Sequence, residues 1–238
     1  MLINAYLHSD WFGKTIFWGL FLLSALSWTL IIHKGWIFYQ VKQLSDEFRN
    51  LFSEKDPLEL KFTRNSKSVP HPLFEIYKAM KQKTLQIISR NHFFAPHAEN
   101  VLSEADLGLI EAQIQTTLAA EQKQLEKNLF VLSTVATLGP FLGLLGTVWG
   151  ILLTFAELEG KGFASSNSAM LSGLSMALAT TVIGLLIAIP AFAGYNYLKN
   201  SAREYRREME DFSQLLLATL ELQYRKPDHA EKIPTPTR

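Results

Sequence analysis

Three long stretches of this chain, residues 15–33, 128–156 and 162–198, contain no Asp, Glu, Lys or Arg, and charged segments with helical apolar periodicity lie between them. A helix needs about 20 mostly apolar residues to cross a bilayer, and each stretch is long enough to serve. The first is rich in Leu, Ile, Phe and Trp, with Trp11, Phe12 and Trp36 placed to anchor at the interfaces. A cleaved signal peptide would have a basic start, an apolar core of about 7–15 residues and a small-residue cleavage site. Here Asp10 and Lys14 cancel before the run and no Ala-x-Ala follows it, so a retained anchor is expected.

Beyond the first span, Phe38, Val41, Leu44, Phe48 and Leu51 recur at steps of three and four. This spacing predicts that the first helix continues as an amphipathic stalk over 37–52. Residues 53–72 are polar and hold Pro57, Pro70 and Pro72, the signature of a loop. Leu73, Ile76, Tyr77, Met80 and Ile87 then mark one face of a helix over 73–90, followed by a short break with Asn91 and Pro96. Ser103 and Asp106 resemble a capping box. They open a helix whose apolar positions are Leu107, Ile110, Ile114, Leu118 and Leu125. Neither proline nor glycine separates Ile110 from the second apolar run, so the pattern predicts one uninterrupted helix of about 50 residues from Glu104 into the membrane. A link over 157–167 carries Glu157, Glu159, Gly160 and Lys161, and the third span starts near Ser168 and ends near Tyr197, with Pro190 toward its far end. Tyr205, Met209, Phe212, Leu216 and Leu220 predict an amphipathic helix over 199–223, and the polar, proline-bearing end, 226–238, is expected to be disordered.

The fold class expected is therefore all-α: an integral membrane protein with three transmembrane helices and long helical cytoplasmic extensions. The expected division is an extracytoplasmic segment 1–14, a first span 15–33, a helical cytoplasmic domain 34–127, a second span 128–156, an extracytoplasmic loop 157–167, a third span 168–197, and a cytoplasmic tail 198–238 with a disordered end. Basic residues set the orientation. Lys34, Lys42, Lys123, Lys127, Lys199, Arg203, Arg206 and Arg207 lie on one side, against Lys14 and Lys161 on the other. The amino terminus is thus expected outside and the carboxyl terminus in the cytoplasm.

The small residues add a second pattern. Turned at about 100° per residue, Gly139, Gly143, Gly146 and Gly150 gather on one side of the second span. Ser133, Pro140, Thr147 and Thr154 repeat every seven residues beside them. On the third span Gly173, Ala177, Gly184, Ala188 and Ala191 share a side, with Thr181 close by. Glycine lets membrane helices approach closely, so the two spans are expected to pair as a hairpin. Thr147 and Thr181 lie at similar depth. Their hydroxyls either bond carbonyls of their own helices one turn back or line a polar path at a shared axis.

Composition then removes functions. The charges nearly cancel, 23 basic against 22 acidic, which gives no pull toward nucleic acid. The chain has no cysteine, which excludes disulfides, thiolate zinc sites and iron–sulfur clusters. None of the six histidines (His8, His33, His71, His92, His97, His229) falls in the second or third span. An intramembrane serine protease built on Ser172 or Ser175 would lack its base. His92 and His97 are isolated, and a metal site needs a cluster of ligands. No Gly-x-x-x-x-Gly-Lys-Ser/Thr occurs. An enzyme, a cofactor and a metal are all unexpected. Titratable groups inside a membrane mark proton relays; without one, these two spans could pass protons but not hold them.

The run Pro140-Phe141-Leu142-Gly143-Leu144-Leu145-Gly146-Thr147-Val148-Trp149-Gly150-Ile151 resembles the second-span signature of the MotA/TolQ/ExbB proton-channel family. Ala179-Thr180-Thr181-Val182-Ile183-Gly184-Leu185 and Ile189-Pro190-Ala191 resemble its third-span signature. The likeness is greatest to the TolQ and ExbB branch and strongest over 133–196. It implies a multi-pass protein of the bacterial inner membrane that forms a homo-oligomer, a pentamer in the family, around a central pore. It also implies a single-span partner similar to TolR or ExbD that threads the pore and supplies a carboxylate. Thr147 and Thr181 match the family's pore-lining threonines. Pro140, Gly143, Gly146, Gly150 and Gly184 would serve helix packing. Many TolQ and ExbB proteins have a glutamate one and a half turns before the second threonine, where this chain has Met176. Two other readings are a non-conducting membrane scaffold and a flagellar-type stator subunit, whose relatives usually have four spans.

Overall fold

In a computed structural model of the chain, Tyr6 and residues 10–54, 71–94, 102–161 and 167–224 are described. They form five long helices: α1 (Trp11–Glu54), α2 (Pro72–Phe94), α3 (Glu104–Glu126), α4 (Leu129–Lys161) and α5 (Asn167–Tyr224). Among the described residues, helical stretches within Trp11–Asn50, Glu104–Ala156 and Gly173–Tyr224 are long and apolar enough to cross a membrane. The protein is an all-α integral membrane protein. Most of the loop expected over 53–72 and the carboxyl end 226–238 lie outside the described residues, as do parts of the break near Pro96 and of the 157–167 link.

Three helix boundaries differ from expectation. α2 runs on through Asn91, expected in a break, to Phe94. The helix from Glu104 does not run unbroken into the second span: α3 stops at Glu126, and Asn128 adopts φ 70° before α4 begins at Leu129. Asparagine is among the few non-glycine residues that tolerate this left-handed conformation and can end a helix without glycine. The missing proline and glycine therefore misled the sequence reading. At its other end α4 runs on to Lys161, five residues into the segment expected to be a link. The third span and the amphipathic helix after it are one element, α5, with Pro190 inside it.

The helices divide between two compact units, and α1 and α5 contribute to both. The first unit, residues 1–36 and 126–201, holds α4, the beginning of α1 and the first half of α5. Ile16, Leu20, Val135, Ile187 and Ala191 form its buried cluster, with Phe12, Leu23, Ala136, Leu142 and Ile183 packed on it. Large apolar side chains such as Phe21, Phe141, Leu152, Leu186 and Phe192 are exposed. An outer surface of this kind suits lipid rather than water, and it exceeds what a soluble monomer shows.

The second unit, residues 37–125 and 202–238, packs α2 and α3 with the end of α1 and the end of α5. Its core holds most of the positions predicted from periodicity: Phe38, Val41 and Phe48 from α1; Leu73, Ile76, Tyr77, Met80 and Ile87 from α2; Ile110, Ile114, Leu118 and Leu125 from α3; Tyr205, Met209, Phe212, Leu216 and Leu220 from α5. Leu44 and Leu107, also expected there, are only partly buried. Phe48 is ringed by His71, Phe74, Tyr77 and Phe212 at centroid distances of 5.4, 6.1, 5.8 and 5.9 Å. Pro72 opens α2, where its missing N–H costs nothing, and His71 caps the helix by accepting the Phe74 N–H at Nδ1, 3.3 Å.

The capping box at α3 is present and enlarged. Ser103 Oγ accepts the Asp106 N–H at 3.2 Å, and Asp106 Oδ2 accepts the Ser103 N–H at 3.2 Å and the Ser103 hydroxyl at 2.8 Å. Asn91 donates to the same oxygen at 3.2 Å, and Arg90 pairs with Oδ1 at 3.1 Å, so the carboxylate also ties α2 to α3. Burial pushes the Asp106 carboxyl up. The Ser103, Asn91 and Arg90 contacts outweigh that push and hold it below the usual carboxylate range. A pKa lowered by folding contributes stability above the unfolded pKa and loses it as pH falls through the folded value. The helical extension is therefore expected to lose stability below about pH 4. Asp106→Asn should be less stable at neutral pH and flatter in this acid limb, as read from circular-dichroism melts across pH.

Candidate functional site

The small-residue sides of α4 and α5 face each other, and the contacts show what each absent side chain permits. A methyl group on Gly184 would stand 2.5 Å from the Gly139 carbonyl oxygen and 3.1 Å from Gly143 Cα. One on Gly143 would meet Thr181 Cα at 3.0 Å and the Thr180 carbonyl oxygen at 3.1 Å. One on Gly150 would meet Ala177 Cβ and the Gly173 carbonyl oxygen, each at 2.9 Å. At Gly146 the obstacle is a side chain, with Thr180 Cβ at 2.6 Å and Cγ2 at 2.9 Å. The two backbones are thus as close as glycine allows, and the predicted hairpin is present. Pro140 lies inside α4. It donates no N–H, so one carbonyl of the preceding turn lacks its helical partner.

Thr147 and Thr181 meet across this seam. Their hydroxyls are in direct hydrogen-bond contact. Thr147 Oγ1 also reaches the Gly143 carbonyl at 3.1 Å and the Ala177 carbonyl at 3.2 Å, while Thr181 Oγ1 reaches the Gly143 carbonyl at 3.0 Å. Thr147 thus bonds its own helix one turn back and also joins a hydroxyl on the other helix. Each hydroxyl has one proton to donate and two lone pairs, so the pair cannot satisfy all these contacts at once. Either Thr147 donates to Thr181 and Thr181 to Gly143, or Thr181 donates to Thr147 and Thr147 to a carbonyl. Thr154, further along the same stripe, bonds its own helix at the Gly150 carbonyl, 2.8 Å.

Two participants were missed in the sequence. Thr180 is fully buried; it fills the notch at Gly146, and its hydroxyl donates to the Ala177 carbonyl at 2.8 Å. Its spacing of three and four from Ala177 and Gly184 places it in the small-residue stripe, a signal that was available. Asp10 is the other: Trp149 Nε1–H donates to its Oδ2 at 3.0 Å. Nothing in residue spacing could have joined positions so far apart.

A family model described as the MotA/TolQ/ExbB proton channel family matches residues 83–211, more than half of the chain. The chain belongs to this family. An ExbB biopolymer transport protein of Pseudomonas putida is 27% identical over 94% of this chain and 65% of its own length. The TolQ protein of the Tol-Pal system of Pseudomonas aeruginosa is 29% identical over 73% of this chain and 72% of its own. An ExbB of Aquifex aeolicus is 46% identical over 35% of this chain and 55% of its own length. The matches thus cover about two thirds of the P. putida protein and about half of the Aquifex one. As a member of the MotA/TolQ/ExbB family, the chain stands near the TolQ and ExbB branch. Met176, where the resemblance leads one to expect glutamate, is buried.

Proposed function

We propose that this protein is the pore-forming subunit of a proton-motive-force-driven envelope motor of the TolQ and ExbB type. In this reading it sits in the bacterial inner membrane with its amino terminus outside and its carboxyl terminus in the cytoplasm. It forms a homo-oligomer, expected to be a pentamer, around a single-span TolR- or ExbD-like partner and passes the energy of proton flow to the outer membrane. The observation that carries this proposal is the Thr147–Thr181 pair: two hydroxyls in contact, with two alternative directions of donation, in a seam whose spans contain no Asp, Glu, Lys, Arg or His. Such a pair can accept a proton on one side and release one on the other as the donation direction reverses. It cannot store the proton, so the acid that does so must come from a partner chain.

The scaffold reading draws on the same contacts, because Thr147 also has a carbonyl of its own helix to bond and the glycines would serve assembly alone. Reconstitution separates the two. The chain and its single-span partner are purified together, the mass of the complex is measured, and proton uptake into vesicles is followed under an imposed gradient. Uptake that requires both proteins supports the channel. An intact complex whose uptake equals that of empty vesicles leaves only the scaffold.

A further inference from the structure

The amino end of α1 meets the α4–α5 hairpin through three residues, Asp10, Phe12 and Gly13. Asp10 Oδ1 caps α1 by accepting the Gly13 N–H at 3.0 Å, and its Oδ2 accepts the Trp149 indole N–H at 3.0 Å. The Phe12 ring lies on the Trp149 indole with centroids 4.4 Å apart. Gly13 has no side chain where the tip of Met176 rests, and a methyl there would stand 3.2 Å from Met176 Sδ and closer still to its Cε. One end of α1 thus touches α4 at Trp149, two residues after Thr147, and α5 at Met176, one turn before Thr180.

We propose that Asp10 is a positioning residue for the threonine pair: through Trp149 it clasps the start of α1 across the outer part of the α4–α5 seam. The inference rests on the conducting reading above for its consequence, but the clasp itself does not. A carboxylate acceptor makes this hydrogen bond roughly twice as strong as a neutral one, and both of its oxygens are engaged. Trp149 lies next to Gly150, where α4 and α5 have no room to spare. Releasing the indole therefore frees the α4 backbone within one turn of Thr147, and the two hydroxyls, which need to stay in contact, lose their register.

The experiment uses the full chain with its partner. Ser is a good helix cap but too short to reach the indole, so Asp10→Ser keeps the cap and opens the clasp. Trp149→Phe opens it from the other side without touching the cap, and decides the matter if Asp10→Ser does not assemble. Each variant is expected to lower proton uptake roughly tenfold, the size of a charged hydrogen bond, and the double variant no further than either alone. Because the chain has no cysteine, Gly13→Cys with Met176→Cys provides a readout independent of flux. The pair should cross-link readily under mild oxidation, and more slowly when Trp149→Phe is added. An unchanged cross-linking rate in the presence of Trp149→Phe overturns the clasp, and so do single effects that multiply in the double variant. If the complex with all native residues carries no protons, the channel reading fails and the cross-linking rates alone judge the clasp.

Discussion

Gly184→Ala is expected to leave little protein able to assemble. The added methyl would lie 2.5 Å from the Gly139 carbonyl oxygen, 3.1 Å from Gly143 Cα and 3.3 Å from the Gly139 carbonyl carbon. All three obstacles are backbone atoms of α4, so no side-chain rotation can relieve them and the helices must separate. Overpacking a well-filled site costs about 1–3 kcal/mol, and a collision with backbone belongs at the upper end. Between membrane helices there is no hydrophobic driving force to make up the loss, because lipid is as apolar as leucine and close packing is itself the adhesive. A drop in the thermal midpoint in detergent and loss of the assembled complex by mass measurement are the expected readings. Gly19→Ala and Gly35→Ala are the matched comparisons. Both lie within α1 with nothing within 4 Å of the added methyl, so they should be neutral or gain up to about 1 kcal/mol from helix propensity. A Gly184→Ala protein as stable as these two would show that the seam does not hold the hairpin.

The close approach at Gly184 was legible because glycine and alanine at helical spacing identify a side of a helix whatever the rest of the fold does. Apolar periodicity likewise marked most of the second unit's core and the three apolar spans, but not Ile16, Leu20, Val135 and Ile187 in the buried cluster of the first unit. What the sequence could not supply was the rotation of one helix relative to another. Thr147 and Thr181 were placed at similar depth by counting, but only the packed hairpin shows that Thr181 faces Thr147 while Thr180, its neighbour, fills the notch at Gly146. The break at Asn128 was missed because it depends on a single residue's tolerance of positive φ, which periodicity does not register. Pro190, expected inside the third span, is helix interior, and α5 continues well past the expected span end near Tyr197 to Tyr224. The Asp10–Trp149 bond lay beyond any local pattern: it joins the start of α1 to the middle of α4.

Valine at Thr147 or at Thr181 should stop proton flux while leaving the assembly intact, and this pair of outcomes separates conduction from packing. The substitution keeps the branched shape and removes only the hydroxyl. Thr147→Val leaves Thr181 donating to the Gly143 carbonyl, as it does at 3.0 Å. It orphans little, because Thr180 still donates to the Ala177 carbonyl, so stability should fall by no more than the roughly 1 kcal/mol of a neutral hydrogen bond. Thr181→Val likewise leaves Thr147 its contacts with the Gly143 and Ala177 carbonyls. In either variant the two-hydroxyl chain is cut, and a positioned proton-transfer group is worth about 100-fold or more in rate. Uptake in vesicles should fall by that factor for each single variant and no further in the double, since one missing link already breaks the path. Serine at the same positions restores the hydroxyl and should recover most of the flux. Thr180→Val supplies the contrast. Its hydroxyl sits behind the pair on its own helix's carbonyls, so removing it should soften the seam without reducing flux more than a few-fold. If all three valine variants behave alike, the hydroxyls serve the seam and not the proton, and the channel reading gives way to the scaffold.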